Sequence, residues 1–290
     1  GLGLVVNLPD PSPLVANPNQ PIVGISGTSG GDGFWLDATD GGVFTAGSAG
    51  FFGSTGNLHL NKPVVGMAGT PSDNGYWLVA SDGGIFTFGD AGFFGSTGNL
   101  RLNKPVVGMA ATPSSNGLSS NGYWLVASDG GIFTFGDARF FGSTGSLHLN
   151  KPVVGMAATP SGKGYWLVAS DGGIFTFGDA AFFGSTGNLH LNKPVVGMAA
   201  SPTGRGYWMV ASDGGIFTFG DAPFEGSLPG AEIPADDVVG MAPTTAPLFG
   251  PFLTAPASFG SRTMSTASIL AKLKSGAIHL QRPAAAAKHH

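Results

Sequence analysis

The chain contains no cysteine, which removes disulfides and thiol chemistry and leaves the redox compartment open. It has little charge. Asp, Glu, Lys and Arg make up 10% of it, against about 25% in ordinary soluble domains. The formal net charge is −4 with scattered signs, so it lacks the basic footprint of a nucleic-acid partner. It lacks any run of about 18 apolar residues, so no membrane insertion is expected. Helical windows are also missing, because Gly, Pro and β-branched residues interrupt them. What the chain has in excess is glycine, 50 of 290 residues. These follow no Gly-X-Y period, which excludes collagen, and they fall at fixed places where turn residues belong.

Those places belong to a repeat. The stretch Gly-Tyr-Trp-Leu-Val-Ala-Ser-Asp-Gly-Gly-Ile-Phe-Thr-Phe-Gly-Asp-Ala at 164–180 recurs around Trp77, Trp124 and Trp208, and more loosely around Trp35. All five tryptophans occupy this slot, at spacings of 42, 47, 42 and 42 residues. Each unit has four parts. A short β-branched run, Pro-Val-Val-Gly-Met-Ala-Ala-Thr-Pro at 152–160, reads as a strand. Its copies start at Pro21, Pro63, Pro105 and Pro194, with a sixth at Val238-Val239-Gly240-Met241-Ala242. Two further strands flank Asp-Gly-Gly, a hairpin signal expected to form a primed turn. Phe-Phe-Gly-Ser-Thr-Gly reads as a fourth strand, and Asn-Leu-His-Leu-Asn-Lys connects to the next unit.

Four short antiparallel strands per 40–45 residues are the blade of a β-propeller. The fold class expected is therefore all-β, a propeller of four-stranded blades of about 42 residues. A parallel β-helix is the rival, but a tight hairpin reverses direction and a parallel coil cannot use it. Six blades are favoured, the last divergent, with five the runner-up, since five complete units carry six first strands. The organisation expected is an N-terminal strand and Pro-rich linker over 1–20, the repeats over 21–245, and a divergent last blade or extension over 246–284. A short helix over 268–281 is the alternative for part of that tail, on the stripe of Ile269, Leu270 and Leu273. Residues 1–8 would add a strand to the last blade and lock the ring. Residues 285–290, Ala-Ala-Ala-Lys-His-His, resemble a cloning scar with part of a His tag, so His289 and His290 enter no metal argument. The missing initial Met and the proline-rich stretch over 8–21 suggest a trimmed product of a longer, exported chain.

Strand parity sorts the loops onto two faces. Face one takes the turns of Asp40, Asp82, Asp129, Asp171 and Asp213, together with the connectors. Face two takes the loops after the first strand, which vary most between units, and the Gly-Asp-Ala turns.

Alternation puts Trp77 and Val79 on one side of their strand and Tyr76 and Leu78 on the other. Stacked blades would bury both sides; an exposed Trp would instead be a platform for a sugar ring. The Asp-Gly-Gly aspartates either cap their own turns or form a carboxylate ring for Ca²⁺ or a glycan. Asp90, Asp137, Asp179 and Asp221 admit the same two readings. Unit one has Ser48 in that place, so the role looks dispensable. The connectors are the candidate ligand-binding set: Asn57, His59, Asn61 and Lys62; Asn99, Arg101, Asn103 and Lys104; His148, Asn150 and Lys151 beside Ser146; Asn188, His190, Asn192 and Lys193. Their amide, imidazole and cationic groups suit hydroxyl-rich ligands, and repetition on one ring gives avidity for a polymer. The competing reading is a solvated linker, with Leu58 and Leu60 closing the blade junction. The histidines fall in different blades, so no metal site is expected, and no cofactor either.

Catalysis needs an asymmetric constellation, and near-identical units supply the same residues several times over. The unique acids are Asp10, Asp32, Asp37, Asp73, Glu225, Glu232, Asp236 and Asp237, none in a recognised motif. No enzyme activity is expected; a propeller glycosidase is the remote alternative.

The hairpin motif followed by Phe-Phe-Gly-Ser-Thr-Gly resembles tandem repeats common in secreted and cell-surface proteins of actinobacteria, over residues 21 to about 228. The resemblance implies a propeller-like accessory module, often beside cell-wall hydrolase or other catalytic domains, and a location that is secreted or at the cell surface. The architecture is loosely similar to tachylectin-like propeller lectins. The expected function is a non-catalytic, multivalent module binding a cell-surface or cell-wall glycan. A structural or adhesion scaffold for protein partners, using face two, is the alternative.

Overall fold

The computed structural model of the chain describes residues 2–6, 18–113, 120–231 and 237–243. The expectations for the linker over 7–17, the tail over 246–284, the helix over 268–281 and the remnant over 285–290 lie outside these residues. After β1 (Leu2–Val6), unit one holds β2 (Ile22–Gly27), β3 (Gly33–Ala38) and β4 (Val43–Gly47). Unit two holds β5 (Val64–Gly69), β6 (Gly75–Ala80) and β7 (Ile85–Gly89), and unit three β8 (Val106–Ala111), β9 (Gly122–Ala127) and β10 (Ile132–Gly136). Unit four holds β11 (Val153–Ala158), β12 (Gly164–Ala169) and β13 (Ile174–Gly178), and unit five β14 (Val195–Ala200), β15 (Gly206–Ala211) and β16 (Ile216–Gly220). β17 (Val238–Pro243) is the sixth copy of the first strand, and one 3-10 turn spans Pro229–Ala231.

Each unit folds into an antiparallel three-stranded sheet in chain order, and β1 pairs antiparallel with β17. The first strands β2, β5, β8, β11, β14 and β17 pack each on the next, and β17 packs back on β2. The chain is thus an all-β propeller, and the described residues form six places in its ring. Among them five hold three-stranded blades, and the sixth holds the β1–β17 pair. The sixth first strand does not compete with β2 for one place, because it lies between β14 and β2.

The Asp-Gly-Gly turn is not the two-residue primed turn expected. Gly83 N donates to Ala80 O and Ala80 N donates to Gly84 O. Of the turn residues, only Gly83 has a positive φ, 77°. The loop therefore has three residues, Ser81-Asp82-Gly83, with the glycine in the left-handed place that a bulged hairpin needs. A Cβ on Gly83 would also land on Thr97 Oγ1.

The fourth segment is not a strand either. In unit two it is pinned at its two ends, to β7 where Ala91 N donates to Phe88 O at 3.3 Å and to the Asp-Gly-Gly turn where Thr97 N donates to Gly83 O at 3.1 Å. Between these points its backbone groups go elsewhere. Gly92 O accepts Trp77 Nε1 at 2.7 Å. Phe94 N donates to Tyr123 OH at 3.2 Å, and that hydroxyl donates to Gly95 O at 2.6 Å. Tyr123 belongs to the next blade. Every backbone donor and acceptor needs a partner; here an indole and a phenol take the groups that a ladder would use. Gly95, at φ 136°, makes the bend against Phe135 of that same blade. The expected four-stranded blade is therefore three strands and a strap that bolts each blade to its successor.

Both faces of the middle strands are buried, as alternation predicts for stacked blades. Trp77 and Val79 pack with Val106, Met109, Tyr123 and Leu125 of unit three, while Tyr76 and Leu78 pack with Trp35, Val43 and Met67. The Trp77 and Tyr123 rings lie 5.8 Å apart and tilted, a geometry that adds about 0.5–1.5 kcal/mol to area burial. All five tryptophans are buried, so none is a sugar platform.

Candidate functional site

The hydrogen bonds place the loops on the two faces. On face one, Thr97 Oγ1 donates to Asp82 O at 2.9 Å, and Leu100 N donates to Thr97 O at 2.8 Å. The connector thus leaves from beside the Asp-Gly-Gly turn. On face two, Thr70 Oγ1 donates to Asp90 Oδ1 at 2.8 Å and Ser72 Oγ donates to Asp90 Oδ2. The loop after β5 is therefore clasped to the Gly-Asp-Ala turn.

The connector residues stand out from the ring. Asn57, His59, Asn61, Lys62, Asn99, Arg101, Asn103, Lys104, His148, Asn150, Lys151, Asn188, His190 and Asn192 are exposed, and Lys193 is half-buried. Each quartet shares one short strip, and the four strips repeat from unit to unit. The two leucines of a strip behave differently. Leu60, Leu102, Leu149 and Leu191 pack into the seams. Leu58, Leu100, Leu147 and Leu189 are 59–61% exposed. The expectation that Leu58 closes the junction is therefore corrected. The connector runs through a turn and bends and is no strand, so its two leucines, two residues apart, do not share a side as they would on a strand; one packs inward and the other stays beside the polar groups. The strips do not bring the histidines together: among the described residues no group of three metal-ligating side chains could hold an ion.

The aspartates serve the fold. Asp40, Asp82, Asp129, Asp171 and Asp213 each accept the amide of the second glycine of their own turn at 2.9 Å. Asp90, Asp137, Asp179 and Asp221 take hydroxyls from the face-two loop instead of capping themselves. Hydrogen bonds from Thr203, then Ser201, hold the Asp221 carboxyl below its ordinary value. Unit one keeps this clasp with the partners reversed. Ser48 Oγ donates to Asp32, whose carboxyl is lowered by Ser48 and then Thr28. The role is therefore kept, not dispensable.

Of two further features, one was missed in the sequence and the other was named only among the unique acids. Phe93, Phe140, Phe182 and Phe224 are 60–63% exposed; for the first three the doublet Phe-Phe in an extended segment is the signal, since only one of the two can face the seam, while Phe224 stands before Glu225 in the matching place. The other is Asp37, fully buried with no partner on either carboxyl oxygen. Burial pushes its carboxyl up to about 7. Of the other unique acids, Asp73 accepts Ser29 N at 2.8 Å and Ser29 Oγ; Asp10, Glu232 and Asp236 lie outside the described residues. The bolting tyrosines stay protonated: burial pushes Tyr76 up to about 12 and raises Tyr123, Tyr165 and Tyr207.

No protein-family model matches the chain, and no curated protein matches it. Among solved structures it is similar to the β-propeller domain of Cps50 (Swd1) from Myceliophteria thermophila, with 11% identity and a TM-score of 0.45. The match covers 70% of this chain and 66% of that one.

Proposed function

We propose that the ring is a non-catalytic, multivalent binding module of an exported protein that grips a cell-surface or cell-wall glycan through the face-one connectors. The observation that carries this reading is a division of labour among side chains. The aspartates, hydroxyls, indoles and phenols of the repeat are engaged in holding the fold. The connector amides, imidazoles and cations, the half-buried Lys193 apart, project outward with a leucine beside them, four times over on one face. Directional polar groups next to a small apolar surface suit a sugar, which offers hydroxyls and C–H faces together. Equal weak sites on a rigid ring gain affinity on a repetitive polymer. The resemblance to repeats of secreted actinobacterial proteins supports the location.

The test is a glycan array together with a pull-down on insoluble cell wall. Replacing His148, Asn150 and Lys151 by Ala should weaken polymer binding several-fold without abolishing it, and clearing all four connectors should abolish it. Retention of full binding by the cleared ring would end the reading. The second reading is a scaffold for protein partners, and the exposed Phe93, Phe140, Phe182 and Phe224 favour it. It predicts that changing these to Ser removes protein partners and leaves glycan binding unchanged.

A further inference from the structure

The position held by Asp37 is occupied by Val79, Val126, Val168 and Val210 in the other four units, in the same register opposite the third strand. Alternation sends this side chain, like Trp35, toward unit two. Its carboxylate lies where a Cβ on Gly24 would be, so it sits against the inner strand β2. In the repeats, Gly66, Gly155 and Gly197 face the glycine of the next inner strand, and Gly108, Gly155 and Gly197 also face the valine of their own unit that replaces Asp37. Asp37 is thus wedged at the seam between β2 and β5, with no exposed surface and no hydrogen bond to either oxygen.

The surroundings offer no charge to answer it. β2, β4, β5 and β6 contain no Asp, Glu, Lys, Arg or His. Their one titratable group is Tyr76, whose hydroxyl is held by the backbone of Phe52 and Gly53. Asp40, the nearest acid along the chain, turns its Oδ1 to Gly42 N.

We propose that the seam between units one and two is the pH-sensitive joint of the ring, closed while Asp37 is a neutral acid and loosened when it becomes a carboxylate. A neutral carboxyl in this apolar seam costs little more than an unpaired polar group, whereas a bare carboxylate there has lost its hydration without gaining a counter-charge. The direction follows from linkage. In the closed seam the acid ionises near 7, and once wetted it ionises near 3.8. The open form therefore binds fewer protons, and closure weakens steadily as pH rises between those values. Above about 7 the loss is complete and constant.

Hydrogen exchange read by mass spectrometry tests this on the intact protein, with Asp37→Asn and Asp37→Val as references at each pH. Asparagine keeps the shape without ionising, and valine is the residue of the other four units. From pH 5 to about 7 two tenfold steps in the opening equilibrium remain. The excess exchange of β2 and β5 amides over both variants should therefore grow about a hundredfold between pH 5 and pH 8, while β8, β11 and β14 show no excess. Equal exchange of wild type and both variants at pH 8 would overturn the proposal. So would an excess spread evenly over all blades.

Discussion

The seam between units one and two differs from the three that follow it, although the same letters build most of all four. Each is bolted by a tyrosine of the later unit holding the strap of the earlier one. The three later seams repeat one another. The first carries a buried acid where they carry valine. It also carries three cross-seam hydrogen bonds that the later seams lack among the described residues. Gly69 N donates to Ser26 Oγ at 3.0 Å, and Asp73 takes both the amide and the hydroxyl of Ser29. Ser26 stands where the repeats have Ala68, Ala110, Ala157 and Ala199. A costly residue and local ties that offset it thus share one seam, and the uniform seams have neither.

Moving the acid tests that pairing most severely. Val126→Asp puts a carboxyl into the uniform seam between units three and four, without Ser26 or Ser29 equivalents. Its folded-state value should rise as that of Asp37 does, from 3.8 to about 7. A raised folded value means the stability loss is absent below 3.8, grows between 3.8 and about 7, and stays full above. A rise of that size corresponds to about 4 kcal/mol at pH 8. Urea unfolding should show this loss at pH 8 and much less of it at pH 4. A flat pH profile would show that any blade seam tolerates the acid.

The tyrosine bolt comes next. Tyr123→Phe keeps the ring packed against Trp77 and Phe94 but leaves Phe94 N and Gly95 O without the hydroxyl. Buried groups stripped of a partner cost about 1–3 kcal/mol. Tyr76→Phe should cost no less, since Tyr76 holds Phe52 N, Gly53 N and Gly53 O and is as fully buried as the other three. If Tyr76→Phe proved milder than Tyr123→Phe in chemical denaturation, the first seam would be held mainly by its serines.

These bolts explain how far the sequence could be read. The period fixed the tryptophan slot, and alternation then gave the burial of Trp77 and Tyr76 on opposite sides, because both depend on spacing alone. The fate of Phe-Phe-Gly-Ser-Thr-Gly depends on spacing and on a partner elsewhere. Its composition favours a strand, but whether its backbone joins β7 is decided by a hydroxyl 28 residues away in the next unit. The turn was misjudged for a smaller reason: Asp-Gly-Gly permits two loop lengths, and Thr97 Oγ1 over Gly83 is a tertiary contact. Asp37 was visible as a letter breaking a column of valines. Its burial followed from the same alternation that buried Trp35. In the connectors the residue types and the face were legible, but which leucine points inward was not: the segment is a turn and bends, and strand alternation, which would put both leucines of Leu-His-Leu on one side, does not govern it.

Removing one of the compensating ties should have a smaller effect. Ser26→Ala makes unit one match the repeats and leaves Gly69 N without its acceptor, at about 1 kcal/mol. Combined with Asp37→Val, the loss should shrink, because a seam without the wedge can settle into the uniform geometry. Coupling between sites that share a seam is measured by a double-mutant cycle. An additive cycle would separate the serine from the acid.

The face-two clasp gives the smallest effect and the most specific one. Units two to five put the acid in the Gly-Asp-Ala turn and the hydroxyl in the loop; unit one reverses them, with Asp32 in the loop and Ser48 in the turn. Ser48→Asp alone sets two carboxylates against each other and removes the hydroxyl that holds one of them. Like charges raise both carboxyl values, so the loop over 28–32 should exchange its amides faster at pH 7 and recover near pH 3, where the acids are neutral. Adding Gly30→Ser and Asp32→Asn rebuilds the arrangement of Ser72, Asn74 and Asp90, and protection at pH 7 should return. If the triple variant stays as open as the single one, the two units do not share a clasp, and the resemblance between their loops is one of letters only.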